Sequence, residues 1–248
     1  MKRDIEQYAK DFLQPDYAFE HILKKYRYQN ILGFLEKYKP QHILEIGCAT
    51  QSLFDFYHDF KTWTVIEPGE FFCQAIQQSA FYDEQKIKII QGLIEEKVDV
   101  LKKQSFDFII FCGILHEIKN QNEVLESIYK LCNEKTFIHV LTSNNESFHL
   151  LWAQKAGLIK SNVELTETGK RFQRFSTFNL KSLKEIVEKN GFEVLDSGSF
   201  FIKPFNHAKM VQLLESGILD EKLLNALNIL SEDFPNNGAE IFLLCRKK

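Results

Sequence analysis

His42-Ile43-Leu44-Glu45-Ile46-Gly47 is a short apolar run halted by glycine, and the small residues Cys48-Ala49 follow before Thr50-Gln51. A run of this kind fits a strand buried on both faces of a parallel sheet. One carboxylate, Glu45, stands inside it, and a buried carboxylate needs partners. Ligands of open α/β sheets sit at the carboxyl ends of the strands, where small residues in the first turn let the backbone approach closely. Thr62-Trp63-Thr64-Val65-Ile66-Glu67 is a second run, stopped by Pro68-Gly69. Glu67 comes about 20 residues after the turn, the spacing at which a carboxylate accepts ribose hydroxyls. The two runs describe one nucleoside-binding crevice.

The same texture continues outward. Leu53 to His58 reads as a helix, Phe71 to Ala80 as another, and Lys86 to Ile90 as a strand. Leu93 to Leu101 is helix or loop, and Phe106 to Phe111 is a strand ending near Gly113. Val124, Leu125, Ile128 and Leu131 mark a helix, and Thr136 to Leu141 a fifth strand. This alternation predicts a parallel sheet with helices on both faces. Asn179 suits the N-cap of a helix over Leu180 to Val187, with Gly191 as its stop. A strand starts at Phe192, helical patterns follow around His207 to Leu214 and Glu221 to Leu230, and Glu240 to Cys245 is the last strand.

Two regions fall outside the rhythm. Residues 1–40 read as a helical cap, with stripes at Ile5, Tyr8, Ala9, Phe12 and Leu13, at Phe19, Ile22, Leu23 and Tyr26, and at Ile31, Leu32, Leu35 and Tyr38; Pro15 interrupts them. Residues 143–178 are polar, basic and too long for an ordinary connection, which marks a functional insertion. With residues 203–235 they are expected to form a substrate lid on a domain spanning 41–248. Aromatic residues of the cap, including Tyr17, Tyr26 and Tyr28, line that pocket or simply fill the core.

Composition narrows the function. At 248 residues and 44% hydrophobic, the chain can bury a sizeable core. A formal net charge of -3 supplies no global basic field for nucleic acid or an anionic membrane. The five cysteines, Cys48, Cys73, Cys112, Cys132 and Cys245, form no C-x-x-C pair, so neither a zinc site nor a disulfide framework is expected. Met1-Lys2-Arg3-Asp4-Ile5-Glu6 lacks a following apolar stretch, and the longest apolar run is far below the roughly 20 residues that span a bilayer. The expectation is a cytoplasmic protein without membrane partners.

An NAD-type turn needs G-x-G-x-x-G; only Gly47 is in place, and no convincing Tyr-x-x-x-Lys pair appears. Glu45-x-Gly47-x-Ala49 instead resembles the E/D-x-G-x-G motif of class I S-adenosylmethionine-dependent methyltransferases, which binds the methionine part of the cofactor. Thr64 to Pro68 resembles that family's second motif. Phe106-Asp107-Phe108-Ile109 through Leu115-His116 resembles its fourth-strand motif, Asn190 to Val194 its late turn, and Ala239 to Lys247 its final strand. The resemblance covers roughly Gln41 to the C-terminus. It implies a Rossmann-like seven-stranded, mostly parallel sheet with the last strand antiparallel. It implies S-adenosyl-L-methionine as cofactor and S-adenosyl-L-homocysteine as product. The cofactor would lie against Glu45, Gly47, Cys48, Ala49, Glu67, Pro68, Gly92, Leu93, Cys112 and Gly113, the two cysteines as packing residues. Two departures stand out: Gln51 replaces a third glycine, and Gln91-Gly92-Leu93 lacks the Asp that many members set against adenine.

Ser143-Asn144-Asn145-Glu146-Ser147-Phe148-His149 is similar to an N-x-x-S-x-H stretch of a bacterial subgroup acting on sugars, glycolipids or secondary metabolites. This implies a small-molecule O-methyltransferase (an N-methyltransferase is the lesser alternative) acting as a monomer or homodimer. His149 is then the base or a substrate anchor, with His116 as a further catalytic candidate. Asn145, Ser147, Arg171 and Arg174 would bind substrate; a solvated basic loop is the competing reading for the arginines. Nucleic-acid acceptors are disfavoured because Cys112-Gly113-Ile114-Leu115 stands where amino-methylating DNA enzymes carry (D/N)-P-P-(Y/F), and no Pro-Cys pair occurs. A non-catalytic methyltransferase-like binding module is the alternative from another class.

Overall fold

The computed structural model describes residues 4–12, 14 and 18–248. Met1 to Arg3, Leu13 and Pro15 to Tyr17 lie outside the described residues, as do the side chains of Ala9 and Phe12. Seven strands form one sheet: β1 (His42–Ile46), β2 (Thr62–Glu67), β3 (Ile87–Gln91), β4 (Phe108–Cys112), β5 (Phe137–Ser143), β6 (Phe192–Phe200) and β7 (Glu240–Lys247). Their order is β3-β2-β1-β4-β5-β7-β6. β1 to β5 pair in parallel, and β7 runs antiparallel to both β5 and β6. This is the Rossmann-like methyltransferase arrangement expected, with the last strand reversed.

Alternation along each strand sends neighbouring side chains to opposite faces. Leu44, Ile46, Ile109 and Phe111 face one core with α4 (Ile94–Leu101), α5 (Gln121–Leu131) and α8 (Leu180–Lys189). Ile43, Trp63, Val65, Phe108 and Ile110 face the other, packing on α2 (Phe19–Tyr38) and α3 (Glu70–Gln77). A third cluster joins Phe19, Leu23 and Tyr26 of α2 to Phe200, Phe201, Met210 of α9 (His207–Glu215) and Leu224 of α10 (Glu221–Ile229). The remaining helices are α1 (Ile5–Phe12), α6 (Phe148–Lys155) and α7 (Glu167–Arg171).

Local chemistry sets the boundaries. Asn179 caps α8 in a reciprocal box with Ser182, at 2.8 and 3.1 Å, and Gly191 follows at φ +90. Two expectations change. The second and third N-terminal stripes belong to one helix, α2, because nothing between Tyr26 and Ile31 breaks it. The helix expected from Leu53 to His58 is a single 3-10 turn, Leu53–Asp55, because Glu45 draws the Ser52 hydroxyl and the Leu53 amide down to the sheet. No helix among the described residues is long and apolar enough to cross a membrane.

The β6–β7 connection returns against its own strand. A Cβ on Gly238 would sit 2.5 Å from Phe200 N and closer still to the Phe200 carbonyl oxygen. Backbone cannot yield there as a side chain would. Gly238→Ala is expected to lower unfolding stability by roughly 2 kcal/mol or more, measured by urea denaturation; an unchanged midpoint would refute the close approach.

Candidate active site

The strand order reverses at β1, between β2 on one side and β4 on the other. Such a switch point opens a crevice at the carboxyl ends of the strands. A cavity of about 290 Å³ lies here, near the lower end of the roughly 300–1,000 Å³ usual for small-molecule sites.

Glu45 lies on the same face of β1 as Ile43 and is 2% exposed. Its carboxylate accepts from Ser52 Oγ, from Leu53 N at 3.3 Å and from Trp63 Nε1 at 3.0 Å. Burial pushes its pKa up to about 7 against these hydrogen bonds. The carboxylate expected beside the cofactor is thus occupied by protein donors, and it shapes the turn above it. Gly47 and Ala49 in that turn have φ +70 and +52, so Ala49 adopts the left-handed backbone usually left to glycine. Glu67 closes the crevice on the β2 side, accepting from Cys48 N at 3.2 Å, Ala49 N at 3.4 Å and Gly69 N at 3.0 Å.

All ten residues expected against the cofactor line this cavity: Glu45, Gly47, Cys48, Ala49, Glu67, Pro68, Gly92, Leu93, Cys112 and Gly113. Burial pushes the Cys48 and Cys112 thiols far up, so neither is a thiolate at neutral pH. A Cβ on Gly113 would meet no atom within 4 Å, which leaves bare backbone where β4 meets the cavity. Gln91 is exposed and is not on the wall, whereas Glu95, in the first turn of α4, is. Gln51 is also off the wall, and its carbonyl accepts from Tyr28 Oη at 2.7 Å.

The acceptor-side expectations divide. His116 lines the cavity, is 4% exposed, and has Nδ1 2.6 Å from Thr142 Oγ1 and Nε2 3.8 Å from Glu117 Oε1. Arg174 lines it too. His149 does not: Nδ1 is 3.0 Å from the buried Ser147 Oγ, and burial, then the Lys203 charge, hold its pKa well below the ordinary histidine value. Ser147 is the residue preceding α6, and it does not line the cavity either. Asn145 borders a separate cavity of about 60 Å³ and bonds to Thr177 Oγ1 at 3.1 Å. Arg171 stacks over Phe172, its guanidinium 5.0 Å from the ring centre, and borders neither cavity.

A charged cluster that the sequence reading did not single out completes the wall. Arg27 binds Glu240 through Nε at 2.9 Å and again through Nη2, which also reaches Glu20 at 2.6 Å. Burial alone would raise the Glu20 carboxyl, but Arg27 and His207 hold it well below the usual range. His207 Nε2 stands 3.5 Å from Glu20, and His207 Nδ1 is 3.3 Å from Lys203 Nζ. The available signal was a charge inside an apolar run: Lys203 in Phe200-Phe201-Ile202-Lys203-Pro204-Phe205 has the same signature as Glu45 in β1.

A family model described as a methyltransferase domain matches residues 19–197. The chain belongs to the methyltransferase-domain family. No curated protein matches this methyltransferase. Among solved structures it is similar to the N-methyltransferase NodS from Bradyrhizobium japonicum in complex with S-adenosyl-l-homocysteine (10% identity, 98% of this chain and 97% of that one, TM-score 0.63). It is also similar to the plantazolicin methyltransferase BamL in complex with a triazolic desmethylPZN analog and SAH (15%, 97% and 94%, 0.61). A SAM-dependent methyltransferase from Thermotoga maritima gives 18%, 93% and 98%, and 0.57. At these identities the likeness establishes the fold.

The raised Glu45 carboxyl sets a pH dependence. A folded-state value near 7 against 4.5 unfolded means its contribution is fully present below about 4.5 and is lost as pH rises to about 7, an effect of about 3 kcal/mol. Glu45→Gln should flatten that part of the stability profile in the ligand-free protein. Thermal melts of both proteins from pH 4.5 to 8 check this, and parallel profiles would refute it.

Proposed function

We propose that this methyltransferase takes S-adenosyl-L-methionine, releases S-adenosyl-L-homocysteine, and methylates a small molecule rather than a nucleic acid. The observation that carries this reading is the continuity of one cavity from the Gly47–Ala49 turn and Glu67 to His116, Glu20, Lys203 and His207. The residues present fit the cofactor. Glu67 is placed to accept ribose hydroxyls, and Gly92 and Leu93 offer backbone to the adenine, with Glu95 as acceptor for its amino group. The bare backbone of Gly47 to Ala49 and Gly113 leaves room for the methionine part. Lys24, whose charge is felt by Glu45 and Cys48, is a cation for its carboxylate.

The bound cofactor supplies an electrophilic methyl group on a sulfonium. The protein supplies orientation and a dry site. Residues of 1–40, 143–178 and 203–235 contribute Tyr8, Arg174 and Lys203 to the wall, which supports the lid role of these segments. His116, with Nδ1 fixed by Thr142, takes the proton of an acceptor hydroxyl at Nε2. It assumes the role first assigned to His149, because it is the one of the two on the wall.

An amine acceptor is the second reading, favoured by the names of similar structures: NodS is an N-methyltransferase, and the Thermotoga protein is described as a possible histamine N-methyltransferase. A neutral amine needs no base. With the acceptor found by screening hydroxylated and amine metabolites, His116→Gln should lower kcat about 100- to 10,000-fold for a hydroxyl and less than about tenfold for an amine.

Calorimetric titration of S-adenosylmethionine and S-adenosylhomocysteine tests the cofactor assignment. Binding is expected to weaken at least about tenfold in Glu67→Ala, which removes charge-assisted hydrogen bonds. No binding by the unaltered chain would move the reading to a non-catalytic module.

A further inference from the structure

Beyond β6 the chain makes an uncommon turn. Phe201 is fully buried yet has φ +61, a conformation that costs a bulky residue of order 1–3 kcal/mol and gathers at functional sites. Its ring is held 4.8 Å from Tyr26 and 6.0 Å from Phe19. Its carbonyl accepts from Ala239 N at 2.8 Å, and Ile202 N donates to Leu227 at 2.9 Å. The kink carries Lys203 onto the cavity wall, where it is only 4% exposed.

A buried ammonium has three N–H donors to satisfy and a charge to balance. Among the described residues, Lys203 Nζ has one hydrogen-bond partner, His207 Nδ1 at 3.3 Å, and no carboxylate within 4.0 Å. The nearby carboxylates, Glu20 and Glu240, are gripped by Arg27. Arg174 lines the same cavity, with its buried Nε lacking a hydrogen-bond partner. Its charge acts on Lys203, which Glu20 and Glu240 only partly counter: burial, and then Arg174, bring the Lys203 pKa down to about 8. Burial and the Lys203 charge likewise bring His207 to about 4 despite Glu20, so this neighbour adds no charge at neutral pH.

We infer that Lys203 and Arg174 form an anion-binding subsite at the acceptor end of the cavity, so that the methyl acceptor carries an anionic oxygen group, a carboxylate or a phosphate. The inference rests on the small-molecule reading above and names its substrate class. An anion between the two cations would fill the open N–H positions of Lys203, balance both charges and fix the acceptor by two charge-assisted contacts. Lys203 is a positioning group in this scheme and takes no part in proton transfer.

Calorimetric titration of benzoate and phenyl phosphate into the full chain, alone and saturated with S-adenosylhomocysteine, tests this. At least one probe should bind, and its affinity should fall about tenfold or more in Lys203→Gln and in Arg174→Gln, with S-adenosylhomocysteine affinity unchanged. The preferred probe identifies carboxylate or phosphate. Anion binding needs the ammonium, so affinity should fall as pH rises through about 8. At pH 8 binding should take up part of a proton, read as a heat that varies with the buffer and absent in Lys203→Gln. Should Lys203→Gln fail to fold, Arg174→Gln and the proton uptake of the unaltered chain decide. No binding of either probe, equal binding by the variants, or weakened S-adenosylhomocysteine binding in Lys203→Gln would overturn the subsite. Failure of S-adenosylhomocysteine to bind the unaltered chain would instead strike the cofactor assignment, while the titrations without it still read the subsite.

Discussion

A carboxylate inside an apolar strand constrains everything built above it. Glu45 cannot reach water, so it must collect donors, and it finds Trp63 on the neighbouring strand and Ser52 with Leu53 just beyond the turn. The chain leaving β1 is thereby folded back over its own strand end. The helix that the sequence pattern offers there shrinks to one 3-10 turn, Leu53–Asp55. Gly47 and Ala49 in that turn take left-handed backbone, and the amides of Cys48 and Ala49 are presented to Glu67. One buried carboxylate shapes the turn; the second, Glu67, holds the turn against β2 and faces the cavity.

The cavity has two chemically distinct ends. Around Gly47, Glu67, Gly92 and Gly113 it is built largely from backbone with the carboxylates of Glu45, Glu67 and Glu95, at the carboxyl ends of β1 to β4 and the start of α4. At the other end it is built from side chains far apart in sequence: Glu20 and Arg27 on α2, Arg174 after α7, Lys203 after β6, His207 on α9 and Glu240 on β7. The first end sits where the strand order reverses in the sheet. The burial of the charges at the second end makes it sensitive to the charge of whatever enters.

Legibility in the sequence follows that division. The strand and turn at His42 to Ala49, the spacing to Glu67 and the run at Phe106 to Cys112 were readable because contacts local in sequence set them. Each of the ten residues expected there lines the cavity. The acceptor wall was not readable in the same way. A linear motif offered His149 as base or substrate anchor and Ser147 as a substrate-binding residue; the two pair with each other, and neither lines the cavity. Arg171 and Arg174 are three residues apart, and only the second reaches the cavity.

The reversed last strand was what the family resemblance implied; what the sequence alone determined is therefore the alternation of strands and helices and the position of the nucleotide-type crevice. Hydrophobic period, glycine placement and lone carboxylates are local quantities, and they suffice for that. Only the tertiary structure decided which charges meet. Glu20, Arg27, Lys203, His207 and Glu240 become one cluster because α2, α9 and the β6–β7 pair pack on a common core around Phe19 and Phe201. Desolvation there turns ordinary surface-type residues into groups whose charges must be balanced within the fold or by a ligand.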